Sequence, residues 1–265
     1  MKLAKPSRWI LCLFLFQTLS LYAVERLVPQ QTTPFAETLT QISTINSLMA
    51  GNFDGAFTFG ELKHYGDFGI GTFNSLDGEM IALDGKIYQA RVDGKIYPTP
   101  DSAKTPFSTV TFFEPDEKFP VTGFSLEEIK KFLNDKINTN FFYAIRIDGD
   151  FNYVKTRSVT SQKPYPHLVD AVKKQVIFEK KDVRGTLVGI YCPDFMNGLN
   201  VPGYHFHFLS DDRSFGGHVL EAKVNHATAT IDKTPAFNML LPADFSPGGS
   251  KKGDIDRVEK EPTAR

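Results

Sequence analysis

The stretch Gly203-Tyr204-His205-Phe206-His207-Phe208 alternates aromatic and histidine side chains along six uncharged positions. Successive side chains of a β-strand point to opposite faces of the sheet, so this alternation predicts a strand whose three aromatic rings enter a core. His205 and His207 then project together from the other face. The stretch therefore predicts a sheet that is packed on one side and carries polar chemistry on the other.

The residues that follow predict a turn and a returning strand. Residues 210–217 are rich in Ser, Asp and Gly, and a strand that starts at His218 runs back beside the first. This brings His218 onto the same patch as His205 and His207. Three imidazoles with an open fourth position are the usual form of a catalytic zinc site, so we expect one Zn²⁺ per chain.

The alternative is that these are ordinary strand histidines, but three of the chain's six histidines fall within this short block. His64 and His167 lack such neighbours and are interpreted as surface or loop residues. His226 is the replacement ligand if His218 fails to reach the patch. Cys192 lies in a predicted strand that ends at a proline, which favours a buried structural thiol.

Outward from this block, Asp-Gly pairs at 77–78, 84–85 and 93–94 separate short alternating runs. Such pairs are a strong hairpin signal, so residues 65–98 are predicted to form an antiparallel meander. Ser125 and Glu128 form a capping box ahead of apolar residues at helical spacing, which predicts an amphipathic helix over 126–137.

Further strands and one further helix complete the prediction. Residues 141–147 and 151–159 are predicted to be a hairpin joined through Asp148-Gly149-Asp150, and residues 167–178 to be helical. Separate strands are expected over 218–224 and 228–232. The fold class is therefore α+β, with mixed or antiparallel sheets and few helices.

A faint internal echo suggests two related sheet-rich α+β halves. Gly71-Thr72-Phe73 and Gly185-Thr186-Leu187 each open a strand-rich unit, as a duplication would produce. We therefore divide the chain into an N-terminal half over 24–165 and a C-terminal half over 166–265. The C-terminal half carries the predicted metal ligands.

Residues 1–23 are interpreted as a signal peptide. Lys2, Lys5 and Arg8 precede an apolar run from Trp9 to Tyr22, and Ala23 suits a cleavage site. The run is shorter than the ~20 residues of a membrane span, although an uncleaved anchor is the competing interpretation. The mature chain is expected to be periplasmic or extracellular, without stable membrane association.

The composition restricts the partners. Lys plus Arg number 30 and Asp plus Glu number 31, which gives a formal net charge of −1. This balance lacks the excess of basic residues that is typical of nucleic-acid-binding proteins. A small-molecule substrate is expected instead. The sequence leaves the oligomeric state open, with a homodimer as one candidate.

Several separated motifs resemble one family. They are Gly66-Asp67-Phe68-Gly69-Ile70-Gly71-Thr72-Phe73, Leu76-Asp77-Gly78-Glu79-Met80, Phe142-Tyr143-Ala144-Ile145-Arg146-Ile147-Asp148-Gly149, Lys155-Thr156-Arg157 and the block from Gly203 to His218. In this order they resemble the alpha-acetolactate decarboxylases over roughly 41–261. The His-x-His strand also resembles that of alpha-type carbonic anhydrases, but the rest of the chain does not.

The first resemblance implies a site and a reaction. It implies zinc on His205, His207 and His218, and places Glu79 and Arg157 in the active site. A second glutamate from the tail is implied at Glu259, with Glu261 as the alternative. The implied reaction converts 2-acetolactate to acetoin and carbon dioxide through a zinc-stabilised enediolate, which either glutamate can protonate. Arg157 is expected to orient the substrate carboxylate.

Two other functions stay open at this point. One is an exported zinc hydratase or hydrolase with chemistry like that of carbonic anhydrase, which has no need of Arg157. The other is a metal-binding or sugar-binding module without catalysis, in which replacing Glu79 changes no measurable property.

Overall fold

In the computed structural model, residues 35–251 and 253–259 are described. The predicted signal peptide and Glu261 lie outside these residues. The strands, in chain order, are β1 (Thr38–Ile42), β2 (Phe57–Thr58), β3 (Phe68–Thr72), β4 (Glu79–Leu83), β5 (Lys86–Ala90), β6 (Ile96–Pro98), β7 (Lys104–Thr105), β8 (Ser108–Thr111), β9 (Glu117–Thr122), β10 (Phe142–Ser158), β11 (Val176–Cys192), β12 (Gly203–Ser210), β13 (Gly216–Thr234) and β14 (Ala236–Leu240). The α-helices are α1 (Ile45–Met49), α2 (Phe59–Leu62), α3 (Leu126–Asn134), α4 (Leu168–Ala171) and α5 (Asp254–Glu259).

Two large sheets dominate the fold. One has seven strands in the order β14-β1-β8-β3-β4-β5-β6, and the other has five in the order β10-β11-β12-β13-β9. Strands β10 and β13 also pair with each other, so β10 to β13 form a closed circuit of ladders. Strand β1 runs parallel to β14 and antiparallel to β8. The predicted α+β class with mixed and antiparallel sheets is confirmed.

The meander predicted over 65–98 is present as β3, β4, β5 and β6. At its tightest turn, Asp84 and Gly85 have φ values of 52° and 72°. A two-residue type I′ turn needs positive φ at both central residues, and this explains the preference for Asp-Gly there. This turn sets the register of β4 against β5.

Side chains of both sheets meet in a shared core. Ile70 and Ile81 from the seven-stranded sheet pack in one cluster with Val188 and Ile190 from the five-stranded sheet. On the other face of the five-stranded sheet, α3 buries Ile129 against a second cluster. Helix α3 begins with the predicted capping box of Ser125 and Glu128 but ends at Asn134, before the predicted residue 137.

The predicted hairpin through Asp148-Gly149-Asp150 was wrong, because residues 142–158 form the single strand β10. A Cβ atom added at Gly149 would lie 2.3 Å from the carbonyl oxygen of His226 on β13. The glycine therefore permits close approach of the neighbouring strand instead of a turn. The ladder between β10 and β13 shifts register just beyond this point, at Phe151.

Two other element predictions also needed correction. The helix predicted over 167–178 is limited to α4 and a 3₁₀ turn at Val172–Lys174, after which β11 begins at Val176. The two strands predicted over 218–224 and 228–232 are parts of β13, which continues without a break because its ladder with β10 spans both.

The described residues belong to one compact unit, Thr33–Arg265. Both predicted halves contribute strands to both large sheets: β9 and β10 share a sheet with β11 to β13, and β14 joins β1. The division of the chain at residue 165 stays a prediction, since each large sheet contains strands from both halves. Within residues 35–251 and 253–259, no helix is long and apolar enough to cross a membrane.

Candidate metal centre and active site

The pairing of β12 and β13 brings the three predicted histidine ligands together. His205 and His207 project from the same face of β12, and His207 lies directly opposite His218 in the ladder. One ligand atom from each of the three rings lies within 4.8 Å of the others. Phe206 and Phe208, which alternate with them, are buried in the core beneath α3, as the sequence predicts.

A backbone contact fixes the orientation of His207. Its Nδ1 lies 2.8 Å from the carbonyl oxygen of Met80 on β4. A carbonyl oxygen only accepts hydrogen bonds, so Nδ1 carries the proton and Nε2 presents its lone pair. Within the described part of the chain, the Nε2 atoms of His207 and His218 are buried without a hydrogen-bond partner.

Such buried nitrogen atoms cost about 1–3 kcal/mol each when they have no partner. Burial lowers the pKa of His205 to about 3 and lowers the pKa values of His207 and His218 well below the usual value. The three rings are therefore neutral at ordinary pH, which is the form that binds metals. Three neutral, convergent imidazoles, two of them with a buried nitrogen that lacks a partner in the described residues, fit a divalent ion.

Two glutamates flank the histidines. The Glu79 carboxylate approaches Nε2 of His207 to 3.7 Å, and the Glu259 carboxylate approaches Nε2 of His218 to 3.8 Å. Because the rings are neutral, these approaches are not ion pairs. Burial raises the pKa of each glutamate to about 7, and the Arg157 charge opposes that rise. Both carboxyl groups can therefore exchange a proton near neutral pH.

Arg157 lies beside the histidines, paired across the ladder with His218. It is only 4% exposed. Its Nη1 donates hydrogen bonds to the Gln175 side chain at 3.1 Å and to the carbonyl oxygen of Val258. Its Nε has no partner in the described residues. A charged group with an unused donor in a buried site is suited to binding an anion.

Two spaces adjoin the histidines. An inner chamber of about 60 Å³ is lined by Glu79, Arg157, His205 and His207, together with apolar side chains that include Leu76. An outer cleft of about 950 Å³ is lined by residues that include His218 and Lys130. Glu259 and Val201 line both spaces, so the end of α5 stands between the chamber and the cleft.

Comparison with known proteins agrees with this geometry. The family model of alpha-acetolactate decarboxylase matches residues 39–246. The chain belongs to the alpha-acetolactate decarboxylase family. It is accordingly an enzyme of the carboxy-lyase class.

Individual relatives cover most of this chain. An alpha-acetolactate decarboxylase of Methanosarcina mazei is 46% identical over 246 residues, 90% of this chain and 85% of the relative. One from Bacillus licheniformis is 45% identical, covering 81% of this chain and 87% of the relative. The crystal structure of the enzyme from Bacillus subtilis strain 168 matches with a TM-score of 0.81 at 40% identity, covering 84% of this chain and 100% of that chain.

The remaining histidines lie elsewhere in this member of the acetolactate decarboxylase family. His226 is exposed on β13, where its Nδ1 lies 3.5 Å from the Thr122 hydroxyl. His167 precedes α4, and His64 follows α2. Cys192 is buried at the chamber wall, and burial raises the pKa of its thiol, so it is not a reactive thiolate at neutral pH.

Sequence analysis missed the residues that hold the predicted ones in place. Gln175 and the Val258 carbonyl bind Arg157, and Met80 orients His207. A backbone carbonyl leaves no trace in side-chain identity, and Gln175 lies in a segment predicted to be helical.

Proposed function

We propose that the chain converts 2-acetolactate to acetoin and carbon dioxide with the aid of one zinc ion. The observation that carries the proposal is the convergence of His205, His207 and His218 with Arg157 and two glutamates where the small chamber adjoins the outer cleft. The relatives named above are alpha-acetolactate decarboxylases, which supplies the substrate.

The histidine set favours zinc as the ion. Structural zinc sites generally close all four positions with cysteine and histidine, whereas three histidines leave a position for substrate. When bound, the ion supplies Lewis acidity that polarises a carbonyl oxygen of the substrate. Neutral imidazoles suit this task because they leave the positive charge of the ion undiminished.

Arg157 binds and orients the substrate carboxylate. Its Nη1 is held by the Val258 carbonyl and Gln175, which directs the guanidinium towards the chamber while Nε stays free. Burial strengthens a charge-assisted hydrogen bond from this group. Holding the carboxylate fixes the bond to be broken relative to the neighbouring ketone, whose carbonyl receives the electron pair when carbon dioxide leaves.

Glu79 and Glu259 supply the proton that completes the reaction. The carbon that loses carbon dioxide must gain one proton, and either glutamate has a pKa of about 7 because of burial. A protonated carboxyl in the chamber can deliver that proton and then regain one from solvent through the outer cleft. Glu259 lines both spaces, so it is suited to this exchange.

The test is acetoin formation from racemic acetolactate by the purified chain, measured before and after metal removal with a chelator and again after addition of zinc. Activity that is lost and then restored by zinc supports both the reaction and the ion. A folded, zinc-loaded chain that forms no acetoin would exclude the decarboxylase proposal. Carbon dioxide hydration and ester hydrolysis by the same sample would then test the hydratase alternative.

We also propose that residues 1–23 direct export and are removed near Val24. The charged start and short apolar run support this proposal. N-terminal sequencing of the protein from the extracytoplasmic fraction of the producing cells is expected to begin near Val24. Intact Met1 on a protein retained in the cytoplasm would contradict it.

A further inference from the structure

Asp232 on β13 is a buried carboxylate far along the strand from the histidines. It pairs in register with Ala144 of β10 and is 1% exposed. Its Oδ2 accepts a hydrogen bond of 3.1 Å from the backbone N–H of Glu114. Its Oδ1 is buried and has no partner among the described residues. One oxygen is therefore held in place and the other is free to bind something else.

Three exposed acidic residues, Glu37, Glu114 and Asp116, lie close enough to Asp232 to act on its charge. Burial and the charges of Glu37, Asp116 and Glu114 together raise the pKa of Asp232 to about 7, while the hydrogen bond from the Glu114 N–H opposes this rise. The pKa of Glu37 is raised by burial and by Asp116 and Glu114. The four acidic groups therefore lie close enough to repel one another, and they come from three separate parts of the chain.

The loop that carries Glu114 and Asp116 is fixed to β13 by its backbone. The N–H of Asp116 donates to the Ile231 carbonyl at 2.9 Å, and Asp116 Oδ2 accepts from the N–H of Lys233 at 2.8 Å. Asp116, like Asp232, thus has one oxygen held by backbone and one left over. The Lys233 ammonium lies 3.8 Å from the centroid of the Phe141 ring.

We propose that Asp232, Asp116, Glu114 and Glu37 form a binding site for a calcium ion that stabilises the fold and is separate from the histidine site. Calcium binds six to eight oxygen ligands in flexible geometry, and carboxylates provide them. Magnesium requires tighter octahedral geometry, and zinc prefers nitrogen and sulfur. A buried carboxylate oxygen without a partner in the described residues, with three exposed acidic residues nearby, fits calcium best.

Binding of calcium at this site is expected to be weak. In the described chain, only the histidines bring three ligand atoms within 4.8 Å of one another. The exposed side chains of Glu37, Glu114 and Asp116 must therefore rotate towards Asp232 and lose rotamer freedom as the ion binds. A dissociation constant on the order of 10⁻⁴–10⁻³ M is expected, as in weak calcium modules.

The experiment measures calcium binding to the full chain as purified, with its content of other metals determined and held constant. Isothermal titration calorimetry gives the affinity, and thermal unfolding with 0 to about 10 mM calcium gives the stabilisation. At ~10 mM calcium the unfolding midpoint is expected to rise by about 3 °C or more. Magnesium at equal ionic strength should produce less than half of that rise.

Variants locate the site. Asp232→Asn and the double variant Glu37→Gln with Glu114→Gln should abolish the rise, and the double variant alters only exposed side chains. Glu179→Gln is the matched control, because Glu179 is exposed on β11 opposite Lys155, far from the cluster. The proposal is overturned by the absence of calcium binding, by an equal response to magnesium, or by an undiminished calcium response in the double variant.

Discussion

At the scale of single residues, variants of the two glutamates can distinguish proton transfer by the protein from metal binding. We expect Glu79→Gln and Glu259→Gln to lower kcat for acetoin formation by about 10²-fold or more, because general acid catalysis contributes about that much. Zinc content should stay near one per chain, since the histidines provide the ligand atoms. The measurements are steady-state kinetics and metal analysis by mass spectrometry.

Glu179→Gln serves as the exposed control and should keep full activity. Unchanged kcat in both active-site variants would exclude glutamate as the proton donor. A drop in only one variant would identify the donor, a choice that the sequence leaves open between Glu79 and Glu259.

The histidine ligands have a matched control on β13, the strand that also carries His218. We expect His207→Ala to reduce bound zinc to well below one per chain and to abolish acetoin formation, because it removes one of three convergent nitrogen atoms. His226→Gln, an exposed change on β13, should leave both properties intact. Metal analysis after dialysis against zinc-free buffer is the decisive measurement. Full zinc retention in His207→Ala would contradict the assigned ligand set.

The orientation of side chains on strands was predicted well where the sequence alternates with a two-residue period. Alternation in residues 203–208 correctly placed the aromatic rings of β12 in the core and the histidines on the opposite face. The orientation of His207 was beyond prediction, because it depends on the carbonyl of Met80 in a distant strand. The arrangement around Arg157 likewise depends on a backbone group, the Val258 carbonyl.

At the scale of elements, α5 brings the tail to the active site. Val258 is buried among apolar side chains that include Leu48 and Leu168, and its carbonyl binds Arg157. A chain that ends at Lys251 loses this contact together with Glu259. We expect it to fold and to bind zinc through the histidines, while kcat/KM for acetolactate falls by about 10²-fold or more.

Far-ultraviolet circular dichroism and metal analysis confirm folding of the truncated chain before kinetics are measured. Glu261→Gln provides the control for the tail, because Glu261 is the alternative glutamate in the sequence. It should retain the activity of the unaltered chain. Loss of activity in Glu261→Gln with none in Glu259→Gln would transfer the role to Glu261.

Element boundaries show where local sequence reasoning ends. Asp84-Gly85 forms the predicted turn, whereas Asp148-Gly149-Asp150 lies inside the continuous strand β10. The difference comes from tertiary contact: β13 packs against Gly149 so closely that no side chain fits, and this cannot be seen in the local pattern. The long ladder between β10 and β13 likewise makes β13 one strand, where two separate strands were predicted.

At the scale of the whole molecule, the two sheets combine strands that are distant in the chain. The sequence predicts the sheet-rich class from turn chemistry and periodicity, but the parallel pairing of β1 with β14 and the closed circuit of β10 to β13 have no local signal. Non-local pairing is set by which faces can bury apolar side chains together. The chemistry of the site follows from this closure, because it places Arg157 next to His218.

Closure of the fold also buries Asp232, which makes stability depend on pH. Its folded pKa is about 7, chiefly through burial, against 3.8 for the ordinary group. Between these two pKa values, the folded state holds a proton on Asp232 that the unfolded state lacks. The stabilisation that results is complete below about pH 4 and is lost as pH rises through 7. In calcium-free buffer, we expect the free energy of unfolding to decline from pH 5 to pH 8 by roughly 2 kcal/mol more in the unaltered chain than in Asp232→Asn.

Urea unfolding at pH 5, 6, 7 and 8 measures the difference, with Glu179→Gln expected to follow the unaltered chain. Glu79 and Glu259 have raised pKa values in both proteins, so their contribution cancels in the comparison. Parallel curves for the unaltered chain and Asp232→Asn would show that Asp232 titrates alike in the folded and unfolded chains. If calcium binds at Asp232, then ~10 mM calcium should reduce the decline of the unfolding free energy with pH in the unaltered chain. The bound ion would neutralise the buried carboxylate in place of the proton.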